Sequence, residues 1–292
     1  MASQDWQDSC DKQLTGRSFL ATIGVFDSGI GGLTILQEAV RQANAHHYIY
    51  LADSAHAPYG EKSPEWVARR SLNLCHWLVR HGAQALVVAC NTATASAIAA
   101  IRNDMPAIPI IGIEPGIKPA LEYTSKNKIG VLATHNTLAS DKFKSLLESL
   151  REHHQEIEWI TQAGKGLVPL IESGELHSAE LESCLREHLE PLQRAGVDSL
   201  VLGCTHYPFL IPLIRKIMGD EIQIIDTSVA VVRQLLRQLD EFQLLQSAPP
   251  RHIQLYSTQD ADQLLHLAKQ LIPATLQDHA VEKATVIITE EA

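Results

Sequence analysis

The sequence predicts an α/β protein of two pseudo-symmetric lobes, each with a mainly parallel central sheet flanked by helices and with a site in the cleft between them. Three observations predict it. Short β-branched runs alternate with helical patterns, as in βαβ units. Arg80 to Cys90 (RHGAQALVVAC) matches Arg194 to Cys204 (RAGVDSLVLGC) at five of eleven positions, at an offset of 114 residues. The same offset carries Ile108–Gly116 onto Ile222–Ala230, and an offset of 106 carries Ile23–Ser28 (IGVFDS) onto Ile129–Thr134 (IGVLAT). Each copy of the longest repeat ends a buried strand with a cysteine. Duplication can therefore set two thiols face to face, a geometry suited to chemistry on both sides of one atom.

In chain order, residues 1–20 are polar and mixed in charge and read as an extension. The first lobe is expected over 21–114 plus 226–292, and the second over 115–225. Apolar, β-rich runs predict strands at Thr22–Phe26, His47–Leu51, Ala85–Ala89 and Ile108–Ile113, then at Lys128–Ala133, Glu158–Thr161, Ser199–Leu202 and Gln223–Ile225. Helical patterns cover Trp66–His81 and Ala179–Ala195. Gly82 and Gly196 follow them as expected just past a helix end. The tail after Ser247 begins with a Pro-Pro break. It then offers one strand-like run, His252–Tyr256, and one helix from about Asp260, with Ser257 or Thr258 available as its cap.

The 292 residues, 45% hydrophobic, suffice for one large domain or two of ordinary size. A net charge of −10 argues against a general electrostatic grip on nucleic acid. The N-terminus lacks the basic and apolar regions of a signal peptide, and no apolar run is long enough to span a bilayer. Five cysteines without tight spacing read as reduced thiols, and the expected location is cytoplasmic.

Asp27-Ser28-Gly29-Ile30-Gly31-Gly32-Leu33-Thr34 follows a strand and opens a helix. It is not a dinucleotide fingerprint, which would need glycine where Thr34 stands. What remains is a glycine-rich turn whose N–H groups suit a carboxylate; Asp27 as a plain helix cap is the alternative. Cys90-Asn91-Thr92 places a thiol at a helix N-terminus, whose partial positive charge favours thiolate. Cys204-Thr205-His206-Tyr207-Pro208 repeats the arrangement, with His206 able to exchange a proton with Cys204. Cys75 and Cys184 lie inside expected helices and read as packing residues. Cys90, Cys204 and His206 offer zinc-ligand chemistry, but no CxxC or HxxxH accompanies them, and no metal is expected. Asp53–Gly60 (DSAHAPYG) reads as a ligand-covering loop with an aromatic hydroxyl, or as a bland turn. Glu172, in VPLIES, reads as a supporting partner of His206 or as an exposed helix residue.

Taken in order, VFDSGIGGLT, DSAHAPYGEKS, VVACNTAT, IGIEPG, GKGLVPLIESG and LVLGCTHYP make the chain resemble the glutamate racemases of the aspartate/glutamate racemase family, over about Thr22 to Thr227. That resemblance implies a cofactor-independent enzyme interconverting L- and D-glutamate and supplying D-glutamate for peptidoglycan. It implies that Cys90 and Cys204 are the two catalytic cysteines, with Cys90 acting mainly on D-glutamate and Cys204 on L-glutamate. Asp27 and His206 correspond to residues that assist them, and Glu172 to a supporting carboxylate. Substrate contacts are implied at Asp27, Ser28, Tyr59, Gly60, Asn91, Thr92, Thr134, Thr137, Thr205 and His206. A homodimer is implied, as is a response to the cell-wall precursor UDP-N-acetylmuramoyl-L-alanine through the N-terminal extension. Nucleic acid and membrane partners are not. Ser54 departs from the family's usual threonine, and QAGKG stands where many members have a cysteine and a proline.

An ordinary thiol, with a pKa of about 8.5, is only a few per cent ionised at neutral pH, so the site must favour the charge when substrate binds. The repeat places Ser28 opposite Thr134, Asp27 opposite Ala133, Asn91 opposite Thr205 and Thr92 opposite His206. A pseudo-twofold axis is expected between the thiols, with the Asp27/His206 asymmetry separating the two directions. Two rival readings are an aspartate or hydantoin racemase using the same thiols, and a binding protein with inert cysteines.

Overall fold

The computed structural model describes residues 21–43, 46–244, 252–277 and 279–289. The expected extension over 1–20 and the Pro-Pro break lie outside them. Strands β1 (Thr22–Asp27), β2 (His47–Ala52), β3 (Ala85–Val88) and β4 (Ile110–Gly112) join β9 (His252–Ser257) and β10 (Ala280–Thr285) in one sheet, ordered β10-β9-β2-β1-β3-β4. Strands β5 (Lys128–Ala133), β6 (Glu158–Ala163), β7 (Ser199–Gly203) and β8 (Gln223–Ile225) form a second, ordered β6-β5-β7-β8. Every pairing is parallel. The order β2-β1-β3-β4 recurs as β6-β5-β7-β8, so the sequence repeats fall on β1 and β5, β3 and β7, and β4 and β8.

Helices cover the sheets because parallel strands must be buried on both faces. In the first half these are α1 (Leu33–Gln42), α2 (Pro64–Arg80) and α3 (Asn91–Asp104). In the second they are α4 (Ile117–Ala120), α5 (His135–Ala139), α6 (Asp141–His153), α7 (Leu167–Glu172), α8 (Ala179–Ala195) and α9 (Ile211–Met218). The chain then returns through α10 (Ser228–Glu241) to β9, α11 (Ala261–Leu271), α12 (Pro273–Gln277) and β10. Pro64 opens α2 behind the Ser63 cap, whose hydroxyl accepts from Trp66 N at 3.3 Å, and Ser178 caps α8 in the same way. Gly82 and Gly196 take φ of +96° and +76°, the left-handed conformation that ends both helices. Among the described residues no helix is long and apolar enough to cross a membrane.

The duplication extends to individual contacts. A Cβ on Gly24, in the middle of β1, would meet Ala83, Leu86 and Leu78 at 2.9, 3.0 and 3.3 Å. The repeat equivalents of those residues, Val197, Leu200 and Leu192, would meet a Cβ on Gly130 at 3.3 to 3.4 Å. One glycine per sheet thus lets the helix and its following turn approach the strand.

Three expectations change. The strand expected over Ile108–Ile113 is shorter, because Ile108 N closes a turn onto Met105 O and Pro109 has no N–H to give. The tail gains α12 and β10. The latter (AVEKAT) is an edge strand with little buried surface, so it lacks the apolar alternation that marks a strand. The cap of α11 is Asp260, which accepts from Asp262 N and Gln263 N at 2.8 and 3.1 Å. Ser257, three residues upstream, instead takes Gln259 N and Asp260 N where β9 ends.

The two glycines separate overpacking from simple ordering. Gly24→Ala should destabilise by about 1–3 kcal/mol, and Gly130→Ala by under about 1 kcal/mol, offset by the chain entropy that alanine removes. Urea midpoints of the two variants check this; equal losses would contradict it.

Candidate active site

Open parallel sheets present ligands at their strand C-termini, and both sheets do so here. At the tip of β3, Cys90 caps α3: its Sγ accepts from Ala93 N at 3.5 Å and donates to Ser28 Oγ at 3.8 Å. At the tip of β7, Cys204 Sγ lies 3.7 Å from His206 Nδ1. Both thiols are free and line one cleft, together with Ser28, Gly60, Asn91 and Thr134. Pro208 sits in the first turn of the short helix after Cys204, as the sequence predicts. Cys75 is buried in α2, whereas Cys184 is only partly buried in α8.

The two thiols have unlike surroundings. On the Cys90 side, burial and the nearby Asp27 charge push the thiol pKa upward, outweighing the helix N–H that was expected to favour thiolate. Asp27 is itself fully buried, and its Oδ2 accepts from Gly29 N and Gly32 N at 3.2 and 3.1 Å. Burial raises its pKa to about 6, with the His206 charge and the turn N–H groups opposing and the Glu172 charge adding. On the Cys204 side, burial works against a charged His206, yet hydrogen bonds to Cys204 and Glu172 carry its pKa well above the usual imidazole range. Glu172, the last residue of α7, holds His206 Nε2 and also accepts from Ile30 N at 2.8 Å.

That last bond crosses between the two halves. So do Thr205 Oγ1 to Asp27 Oδ1 at 3.3 Å, Thr34 Oγ1 to Thr205 O at 3.4 Å and Thr92 Oγ1 to Thr134 Oγ1 at 3.0 Å. The glycine-rich turn was expected to offer its N–H groups to a ligand carboxylate. Instead it gives those of Gly29 and Gly32 to Asp27 and that of Ile30 to Glu172, so Asp27 does cap the turn. Gly29 and Gly31 leave room for the other half: a Cβ on Gly29 would strike the Glu172 carboxylate, and one on Gly31 would strike His206 and Thr205.

The remaining expected residues divide. Ser28, Tyr59, Gly60, Asn91, Thr92, Thr134, Thr205 and His206 line the cleft. Asn91 has both side-chain polar atoms buried with no partner, ready for a ligand's donor and acceptor. Tyr59 lines the cleft with its hydroxyl directed away onto Asp53 Oδ2 at 2.6 Å. Thr137 stands behind Thr134, joined to it at 2.8 Å between hydroxyls. Asp27 and Glu172 stand behind the cleft wall rather than in it. Among the described residues no lysine or arginine lines the cleft. Its free volume is about 10 Å³, barely room for one water. A larger cavity, about 300 Å³, lies against Glu172 and the tail and shares Pro58 and Val168 with the cleft, with neither thiol in its lining. Among the described residues no three His, Cys, Asp or Glu side chains gather to hold a metal ion.

The family model for Asp/Glu/Hydantoin racemase matches residues 23–235. The chain belongs to that family. It is 52% identical over 219 residues to the glutamate racemase of Ralstonia nicotianae, covering 75% of this chain and 78% of the relative. Among solved structures, the glutamate racemase isoform RacE1 of Bacillus anthracis superposes with a TM-score of 0.79 at 30% identity, covering 93% of this chain and 99% of that one. The Escherichia coli glutamate racemase, solved with L-glutamate and the activator UDP-MurNAc-Ala, gives a TM-score of 0.78 at 27% identity, covering 91% and 99%. The chain is thus an amino-acid racemase by family.

Within this racemase fold, sequence reading missed Asn136 and the partners of Asp53. Asn136 Nδ2 donates to Tyr59 O and Lys62 O at 3.2 and 2.8 Å, tying α5 to the loop of the other half. Nothing in the local sequence HNT distinguishes it from an exposed turn residue.

Gly31→Ala should lower racemase activity about 100-fold by displacing His206 and Thr205, with the circular dichroism spectrum retained. Steady-state assays check this, and full activity in the variant would contradict the close approach.

Proposed function

We propose that this chain is a cofactor-independent glutamate racemase that inverts the α-carbon by two-base proton transfer between Cys90 and Cys204. The observation that carries this reading is the pair of free thiols on equivalent strand tips of a duplicated sheet, opening into one cleft with unlike partners behind them. A thiolate takes the α-proton from one face while the opposite thiol donates a proton to the other. His206, held as an imidazolium, stands where it can pair with a thiolate on Cys204 or return a proton to it. Asp27 serves the same end for Cys90: once ionised it can take up the Cys90 proton. In the resting site Cys90 is the acid, because burial and Asp27 disfavour its thiolate. Cys204, beside the His206 imidazolium, is then assigned the removal of the L-glutamate α-proton.

With no lysine or arginine among the described residues of the cleft, the substrate carboxylates are held by donors such as Ser28, Asn91, Thr92, Thr134 and Thr205. A dry, closed cleft strengthens these interactions as the carbanion develops. Glutamate is favoured over aspartate or hydantoin because the similar curated proteins are glutamate racemases. An inert binding protein would not need an imidazolium beside one of two matched thiols. We further assign the enzyme to the cytoplasm and to D-glutamate supply for peptidoglycan, as a homodimer. Response to a UDP-linked muramoyl-alanine precursor is supported by the activator in the E. coli relative. Deleting residues 1–20, the expected carrier of that response, tests it.

The equilibrium constant between mirror images is unity, so any variant must lose kcat/KM equally in both directions. Direction is read instead from isotope exchange without inversion. Cys90→Ser and Cys204→Ser should each lower racemisation of glutamate by about 10²–10⁴-fold. In D₂O, the Cys90 variant should still exchange the α-proton of L-glutamate and the Cys204 variant that of D-glutamate. Full racemisation by either variant would sink the two-base mechanism.

The raised pKa of Asp27 sets a pH limb. Asp27 is protonated below about 6, so kcat/KM should fall about tenfold per unit beneath that pH. Asp27→Asn should be slower but flat across the same range; a wild-type rate constant between pH 5 and 7 would contradict the role.

A further inference from the structure

We propose that the buried Asp53–Arg70 ion pair positions the loop that covers the glutamate cleft, and that the chain segment after β10 completes this device. The inference rests on the glutamate racemase reading and extends it to residues outside the cleft. Arg70, in α2, is 2% exposed and Asp53, just after β2, is wholly buried. They meet in a two-pronged bond, Nε to Oδ2 at 2.9 Å and Nη2 to Oδ1 at 2.6 Å. The third guanidinium nitrogen, Nη1, donates to Ile288 O at 2.6 Å. Asp53 Oδ2 also accepts the Tyr59 hydroxyl, and Gly60, the next residue, lies against Thr134 across the cleft, where a Cβ would come within 3.1 Å. A continuous polar relay therefore runs from the chain's end through Arg70, Asp53 and Tyr59 to the cleft wall.

The arrangement is costly for mere stability. A buried ion pair gains little over well-packed apolar residues, whereas a guanidinium fork fixes the plane of its carboxylate. That plane points at Tyr59. The backbone of Asp53 is fixed as well, its N–H donating to Asp27 O at 3.0 Å. In the second half the matching bond runs from Gly164 N to Ala133 O at 2.9 Å, and glycine there has no carboxylate. The device is therefore one-sided and belongs to the loop that runs from Ser54 to Glu61. Ile288 is buried and packs in the same cluster as Tyr59, while Ile287 beside it is 89% exposed, so the segment is held by its second isoleucine and by the carbonyl that Arg70 takes.

The test measures glutamate racemisation and amide hydrogen exchange in the full chain and its variants. Tyr59→Phe removes one hydroxyl that faces away from the cleft, and Arg70→Lys keeps the charge but not the fork. Each should raise KM for glutamate about tenfold, the loss of one charge-assisted bond, with kcat within about threefold. Exchange of the amides between Ser54 and Glu61 should quicken. A chain ending after Thr285 should show the same KM rise, and one ending after Thr289, which keeps the Ile288 carbonyl, should match the full chain. If Arg70→Lys does not fold, Tyr59→Phe decides. Unchanged KM and unchanged loop exchange in folded Tyr59→Phe would overturn the proposal. Faster loop exchange in the variants, together with a wild-type chain that does not racemise glutamate, would overturn the substrate assignment alone.

Discussion

The site depends on one carboxylate shared between the two halves. Glu172 ends a helix of the second half, grips His206 in that half, and accepts the Ile30 N–H from the first. It thereby orients the imidazole toward Cys204 and favours its protonated form, and it sets how closely the glycine-rich turn approaches. The absence of side chains at Gly29 and Gly31 is the complement of that bond. An apolar residue at 172 would leave a buried imidazolium without its counter-charge, which is the expensive failure for a buried ionic group.

Duplication supplies the symmetric part of the design, and the departures from it supply the chemistry. Gly24 and Gly130 pack against corresponding residues, and Cys90 and Cys204 end corresponding strands. Around that frame, Asp27 is replaced in the second half by Ala133, Thr92 by His206 and Asp53 by Gly164. Charge has accumulated at different places in each half: a carboxylate behind one thiol, an imidazole beside the other, and an ion pair beneath only one loop. A symmetric scaffold can present two faces of a carbon; unlike neighbours give the two thiols different electrostatic surroundings.

Most of the scaffold was legible in the sequence. Buried parallel strands are continuous apolar runs, and the repeat fixed which runs correspond, so nearly all strands and both long helices were placed within a residue or two. The edge strand Ala280–Thr285 was not legible, because a strand exposed on both faces carries no apolar alternation. In the site, the thiols, Asp27, Glu172 and His206 stood in recognisable motifs. Their electrostatics did not: the upward shift of Cys90 comes from burial, which local sequence does not show, and it reverses the helix-terminus expectation. Arg70 was also invisible. Arg69 and Arg70 are adjacent in one amphipathic helix, and only the packed structure decides which turns inward to Asp53. The Ile30–Glu172 bond spans 142 residues of sequence, and no pattern at either end announces it.

The central claim, that two groups on opposite faces exchange protons with the same carbon, is tested most directly by following the wild-type enzyme in D₂O with protiated L-glutamate and no added cofactor. At early times the account predicts that D-glutamate appears deuterated at the α-carbon while the remaining L-glutamate keeps its proton. Early D-glutamate that still carries the original proton would mean that one group removes and returns it, and would contradict the account.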